Sequence, residues 1–384
     1  MKKRVVILGS TGSIGCSALD VAGKNGDRLE VIGLSAHSNI DLLMEQIARF
    51  NPRHVALTDK NAHSQFYKIN KSSAELLDFE DGITYLASMA EADIVLNAIV
   101  GAAGLKASLE TLKAGKRLAL ANKESMVIGG HLINALKKES GGELIPVDSE
   151  HSAIWQALIS GKKSEIRKLI LTGSGGPFRT LPKEKFASIT KDQAMSHPTW
   201  KMGPKITVDS ATMMNKGLEI IEASLLFEIA PDKIEVVIHP QSIIHSMVEF
   251  IDSSIIAQMS YPDMRLPIAY ALFYPDRVFT ENGHLSPNDL GNLSFEPPDF
   301  AKFPLLKAAY KVANYGGTLA AVFNAANEAA VAAFLKEIII FNQIPDIVIN
   351  TVEKHTNKVN PSYEDIVDAD QWGRQFAEKL VGQK

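Results

Sequence analysis

Through the first 150 residues, short apolar runs alternate with longer stretches in which apolar positions recur every three or four residues. Residues 4–8, 29–34, 54–57, 94–98 and 117–120 are of the first kind, rich in Val, Ile and Leu, as strands buried on both faces are. The stretches after Ser13 and near 40–49, 104–114 and 124–138 carry the helical period. Strand and helix in alternation predict an α/β domain on a doubly wound, Rossmann-like parallel sheet. More strands are predicted at 168–171, 234–238, 243–250 and 255–259, with a helix capped by Asp209 or Ser210 that runs to about Phe227. Beyond Pro304 only helical periods remain, at 304–315, 324–341, 345–356 and 362–381. The expected division is an N-terminal doubly wound domain over 1–147 and a central α+β catalytic domain over 148–285. A linker follows over 286–304, marked by Pro287, Pro297, Pro298 and Pro304, and then a small helical domain over 305–384.

The chemistry-bearing residues fall just past predicted strand ends, the edge on which open α/β sheets bind ligands. After the first strand come Gly9, Thr11, Gly12, Ser13, Ile14 and Gly15. Glycines at such a junction let the backbone approach a pyrophosphate, which the helix N-terminus attracts. The spacing is G-x-x-G-x-x-G, not the common G-x-G-x-x-G, and an ordinary tight turn could carry the same glycines. After the second strand stand His37, Ser38 and Asn39, where an NAD enzyme carries an acid for the ribose. Small polar groups there favour NADP(H). Asn122, Lys123 and Glu124 place an amide, an ammonium and a carboxylate past a later strand.

Asp148 and Glu150 follow the apolar pair Leu144 and Ile145. In a segment read as extended, both carboxylates point one way. Two hard oxygen ligands suit Mg²⁺ or Mn²⁺ better than Zn²⁺, although a pair of solvated loop acids has the same spacing. Thr172-Gly173-Ser174-Gly175-Gly176-Pro177 suits a phosphate cradle or a hinge. The polar stretch beyond it, with His197, Trp200 and Gly203 near its end, has the length of a lid over 174–204. On the predicted helix Asn215, Glu219 and Glu222 share one face, with Lys216 beside them. At a rise of about 1.5 Å per residue, the amide and ammonium lie about 4.5–6 Å from Glu219. That separation suits a phosphate on Asn215 and Lys216 while the ligand's hydroxyls reach a metal on Glu219. Gly217, which costs about 1 kcal/mol in a helix interior, argues against a merely solvated face. His245 reads as structural or pocket-lining, and residues 324–328 open the longest C-terminal helix without assignable chemistry.

The 384 residues are 46% hydrophobic and 22% charged, with a formal net charge of −4, so the chain has no basic footprint for nucleic acid. No apolar run approaches the ~18 residues of a membrane span, and the basic residues 2–4 precede too short an apolar stretch for a signal peptide. The single Cys16 excludes an internal disulfide. These features predict a cytoplasmic enzyme with no membrane or nucleic-acid partner.

Six motifs in order along the chain resemble the 1-deoxy-D-xylulose 5-phosphate reductoisomerase family. They are the glycine turn 9–15, residues 121–125, 147–152 and 172–178, the run His197-Pro198-Thr199-Trp200, and the stretch 208–219. The resemblance implies conversion of 1-deoxy-D-xylulose 5-phosphate to 2-C-methyl-D-erythritol 4-phosphate. The cofactors would be NADPH and Mg²⁺ or Mn²⁺ (Co²⁺ also admissible), in a homodimer serving non-mevalonate isoprenoid synthesis. By motif it implies Asp148, Glu150 and Glu219 as metal ligands and, with Lys123, as the catalytic set. Substrate contacts would be Lys123, Ser149, Glu150, Ser174, His197, Trp200, Ser210, Asn215, Lys216 and Glu219. Cofactor contacts would be Thr11, Gly12, Ser13, Ile14, His37, Ser38, Asn39, Asn122, Glu124 and Gly203. Members of the family often carry Lys or Arg where this chain has Ser38. Two other readings stay open on the residues alone: a metal-independent NADP dehydrogenase, which has no use for converging carboxylates, and a non-catalytic NADPH sensor.

Overall fold

A computed structural model describes residues 2–200, 202–281, 283–286, 288 and 290–383; Pro287 of the expected linker lies outside them. The chain forms two compact units. The first comprises Met1–Ser125, His131–Ser152 and Asp263–Gly283, and the second Met126–Gly130, Ala153–Pro262 and His284–Lys384.

In the first unit the predicted alternation becomes a seven-stranded sheet of β1 (Lys3–Leu8), β2 (Leu29–Ala36), β3 (His54–Leu57), β4 (Glu75–Leu76), β5 (Ile94–Asn97), β6 (Arg117–Leu120) and β7 (Glu143–Pro146). Every pairing is parallel and the order is β4-β3-β2-β1-β5-β6-β7. Val5, Val6, Ile7 and Leu8 are fully buried, as a central parallel strand with cover on both faces should be. The order reverses between β1 and β5, which opens a crevice at their carboxyl ends. The glycine turn after β1 and residues 98–101 after β5 therefore lie at the switch point. Residues 263–283, expected in a central domain, belong to this unit. Their helix Arg265–Phe273 packs on helix Ser13–Lys24, and Arg265 bridges to Asp20 at 3.5 Å.

The second unit holds β8 (Ile166–Gly173), β9 (Ile234–Ile238), β10 (Ile244–Phe250) and β11 (Ile255–Met259) in the order β11-β10-β8-β9. β8 and β9 are parallel, and β10 runs antiparallel to β8 and β11. Beyond residue 304 it carries helices Pro304–Tyr315, Leu319–Leu335, Gln343–Lys354 and Tyr363–Val381, close to expectation. Residues 324–328 do not open a helix: they lie inside Leu319–Leu335, and Tyr363–Val381 is longer. The expected linker is also partly structured, because Glu296 bridges the edge of β9 at Ile238.

Two local expectations are corrected. Asp209 and Ser210 do not cap the helix to Phe227; they sit within a separate helix, Pro204–Ala211, which starts with Gly203 as N-cap and Pro in its first turn. The following helix is Met214–Phe227, and the break is made by Met213 in a left-handed conformation at φ 60. Asp148 and Glu150, in turn, are not on an extended segment. β7 ends at Pro146 and helix Ser149–Ala157 begins at once, with the Ser152 amide donating to the Asp148 carbonyl at 2.8 Å.

Candidate active site

The glycine turn of the first unit is built for close approach. Gly9 has φ +78, and a Cβ on it would lie 2.6 Å from the Ala98 carbonyl oxygen. A Cβ on Gly15 would lie 2.3 Å from the Gly9 oxygen, so neither position admits a side chain without moving the loop. Buried Gln46 braces the turn by donating to the Ser10 carbonyl at 2.9 Å and accepting from the Ser10 hydroxyl at 2.7 Å. Nothing in the motif named Gln46. Its signal was a polar residue on the apolar face of helix Ile40–Phe50, among Ile40, Leu43 and Ile47. His37, Ser38 and Asn39 are exposed past β2. Asn39 caps the next helix through the Leu42 amide, and His37 Nδ1 lies 2.9 Å from the Thr58 hydroxyl.

Asn122 caps helix Lys123–Ser140 and donates to the carbonyls of Ile99 (2.7 Å) and Gly101 (3.0 Å) and to the Glu124 carboxylate (3.0 Å). Buried Asn97, Ser108 and Ser125 tie this rim to the ends of β5 and β6. The next residue, Lys123, points to Asp148: Nζ and Oδ2 are 2.8 Å apart, and the lysine is 7% exposed. His151 Nδ1 lies 3.5 Å from the other Asp148 oxygen. Burial pushes the Asp148 carboxyl up, but the Lys123 ammonium and the His151 ring outweigh it and hold the group well below the usual carboxylate range. Ser149 donates to Glu150 at 2.5 Å. Lys123, Asp148, Ser149 and Glu150 thus form one polar cluster at the ends of β6 and β7.

The second unit assembles another. Ser174, just past β8, and Ser210, on helix Pro204–Ala211, both lie within hydrogen-bond reach of His197 Nε2, at 3.2 and 3.0 Å. The His197 Nδ1 atom accepts the amides of Thr199 (3.2 Å) and Trp200 (3.0 Å). An acceptor at Nδ1 places the proton on Nε2, which then donates toward the two hydroxyls. Burial lowers the His197 pKa, which favours the neutral ring. Beside this group the Lys216 stem passes Gly173 so closely that a Cβ there would be 2.9 Å from Cε. Lys216 reaches the Glu219 carboxylate, which also accepts from Asn215 at 2.6 Å. Lys216, Glu219 and Glu222 are almost fully buried, so this helix face is not a solvated one. Gly217 has its own explanation: a Cβ would come 2.9 Å from the Ala309 Cβ, and helix Pro304–Tyr315 needs that space.

Trp200 is half-buried against His245, with ring centroids 6.1 Å apart. His245 in turn contacts the Ser260 hydroxyl at 2.9 Å, in keeping with a structural or lining part. The expected lid is anchored over much of its length. Phe178, Phe186, Ile189 and Ala194 are buried, and Phe178 and Phe186 meet the ring of Phe341 at 5.2 and 5.7 Å.

The 1-deoxy-D-xylulose 5-phosphate reductoisomerase family model matches residues 5–130, and two models of its C-terminal domains match 144–227 and 259–376. Curated relatives named 1-deoxy-D-xylulose 5-phosphate reductoisomerase include one from Halothermothrix orenii, 46% identical over 384 residues and covering 100% of both chains. Another, from Bacillus thuringiensis, is 47% identical with the same coverage. Among solved structures, the reductoisomerase from Zymomonas mobilis in complex with NADPH superposes with a TM-score of 0.93 at 42% identity, covering 100% of each chain. A DOX-P reductoisomerase in complex with NADPH, fosmidomycin and magnesium superposes at 0.92 with 37% identity, over 99% of this chain and 98% of that one.

Proposed function

The chain belongs to the 1-deoxy-D-xylulose 5-phosphate reductoisomerase family, and we propose that it performs the family's reaction with the two polar clusters just described. The reaction is NADPH- and metal-dependent: 1-deoxy-D-xylulose 5-phosphate is rearranged and reduced to 2-C-methyl-D-erythritol 4-phosphate, an isoprenoid precursor. Thr11, Gly12, Ser13, Ile14, His37, Ser38, Asn39, Asn122, Glu124 and Gly203 are the proposed cofactor contacts. Asp148, Glu150 and Glu219 are the proposed ligands of Mg²⁺ or Mn²⁺.

The donor set fits such an ion, since all three are carboxylates and hard oxygen is what these cations take. One observation carries the assignment: Asp148 and Glu219 are each paired with a lysine that is itself a proposed substrate contact, Lys123 and Lys216. Lys123, with His151, keeps the Asp148 carboxylate ionised, as a metal ligand must be. Once bound, the ion supplies Lewis acidity at the substrate's carbonyl and neighbouring hydroxyl, and NADPH supplies hydride.

The chain's own residues do the rest. Ser174, Ser210, Asn215, Lys216 and the Nε2–H of His197 hold the phosphate, so orientation is fixed far from the reacting carbons. Lys123 and Ser149 donate to substrate oxygens beside Asp148 and Glu150. Trp200 covers the substrate, and closure is assigned to the described residues 196–200 rather than to all of 174–204, because the aromatic cluster anchors the earlier part. With purified protein, NADPH oxidation by 1-deoxy-D-xylulose 5-phosphate is expected with Mg²⁺ and not with EDTA. Turnover that survives EDTA would turn the assignment toward a metal-independent dehydrogenase.

A cytoplasmic homodimer completes the proposal. Among the described residues no helix is long and apolar enough to cross a membrane. The support for a dimer is β11, an edge strand whose outward face carries Ile255 (51% exposed), Ala257 and Met259 (36% exposed). An apolar open edge invites pairing with a second copy. The double substitution I255E/M259E is expected to halve the mass measured by light scattering at micromolar concentration. An unchanged mass would move the interface elsewhere.

A further inference from the structure

Helix Leu319–Leu335 is largely Ala, Val and Phe, yet it buries Asn327 completely. Asn327 Nδ2 donates to the Asp209 Oδ1 atom at 2.7 Å. Its own Oδ1 is buried and accepts no hydrogen bond from the described residues. Leaving an amide oxygen unsatisfied is unfavourable, and an apolar side chain of similar volume would fill the space without that cost. A packing role therefore does not account for Asn327, whereas service to Asp209 does. Asp209 is 1% exposed, and its other oxygen meets the Lys205 ammonium at 3.0 Å. Lys205 lies on the same helix four residues earlier, so of these two contacts the Asn327 bond is the one that ties helix Pro204–Ala211 to another element. The helix spans 8 residues, too few to be stable without tertiary contacts. Ser210 follows Asp209 directly, so the rotation of this short helix sets where its hydroxyl points. It points at His197 Nε2.

We propose that Asn327, acting through Asp209, is a positioning residue of the phosphate site: it fixes the rotation of helix Pro204–Ala211 and so the aim of Ser210. The inference rests on the assignment of Ser210 to phosphate binding. It gives the C-terminal helices a part in substrate recognition, although none of the proposed substrate contacts lies on them. The Asp209–Asn327 bond is charge-assisted, the stronger class of hydrogen bond. Its loss removes that tie between helix Pro204–Ala211 and helix Leu319–Leu335, and with it the fixed aim of Ser210.

A double-mutant cycle on the full chain tests it, with inorganic phosphate as probe. Phosphate affinity is read from the thermal shift of the metal-free protein, and KM and kcat from NADPH oxidation. N327A is expected to weaken phosphate and raise the substrate KM on the order of tenfold, with kcat within about threefold. In an S210A background the same substitution is expected to add less than about twofold, because the hydroxyl it aims is gone. The reversed pair D209N/N327D, which exchanges donor and acceptor, should recover most of the affinity that N327D alone loses. Two results overturn the inference: N327A leaving phosphate affinity and KM unchanged, or N327A costing as much in S210A as in the wild type. The second would mark a general structural role. If S210A itself changes neither constant, the phosphate assignment of Ser210 fails first. Should N327D not fold, the N327A cycle decides alone.

Discussion

Asp148→Asn is expected to lower metal-dependent kcat/KM by on the order of 10³-fold or more while NADPH affinity stays within about twofold. The amide is nearly the same shape but brings no charge to a divalent ion, and it cannot form the ion pair with Lys123 seen at 2.8 Å. The cofactor contacts are built separately, from the glycine turn braced by Gln46 and the rim capped by Asn122, and neither includes Asp148. Turnover with Mg²⁺ and NADPH binding by fluorescence are the two measurements. Equal loss of both, or retained turnover, would remove Asp148 from the metal. A stability signature accompanies the catalytic one. The Asp148 carboxyl is held well below its unfolded value of about 3.9, so in that window the unfolded chain binds more protons than the folded one. Stability from this group is thus fully present above about pH 4 and is lost as pH falls through the folded value. Melts of wild type and D148N should accordingly converge as the solution is acidified.

The parts of this molecule that were legible in the sequence are those in which local pattern and tertiary outcome agree. The unbroken apolar runs of β1, β2, β5 and β6 became central parallel strands, and the glycine turn fell at the point where strand order reverses. β4 was missed because Glu75–Leu76 is too short to show any period. Asp209 and Ser210 were read as a cap because their side chains suit one. The true start, Gly203 followed by Pro204, falls in the stretch expected as a lid, although proline in the first turn is itself a helix-start signal. For Asp148 and Glu150 the residues were identified but the geometry was not, since nothing local says whether the chain stays extended after Pro146. Asn327 and Gln46 illustrate a different limit. A polar residue on an apolar face announces that a buried partner exists, but not which one, and Asp209 lies 118 positions from Asn327. The return of residues 263–283 to the first unit is likewise a tertiary fact with no local signature.

The pairing of Asp148 and Glu219 with lysines proposed to bind substrate leads to the second large effect, for which substrate and metal should respond in opposite directions. Lys216→Ala is expected to raise the KM for 1-deoxy-D-xylulose 5-phosphate by on the order of 100-fold, since a charge-assisted contact to a dianion is lost. Inorganic phosphate should compete correspondingly less well. The same change leaves the buried Glu219 carboxylate without its ammonium, an arrangement that costs stability because a buried charge has lost its neighbour. A divalent cation on Glu219 restores that compensation and no longer meets the repulsion of a nearby lysine. The Mg²⁺ concentration for half-maximal thermal stabilisation should therefore fall in K216A even as the substrate KM climbs. An unchanged KM would remove Lys216 from the phosphate anchor. A higher Mg²⁺ midpoint would mean that Glu219 needs Lys216 to hold its position more than the ion benefits from the removal of a like charge.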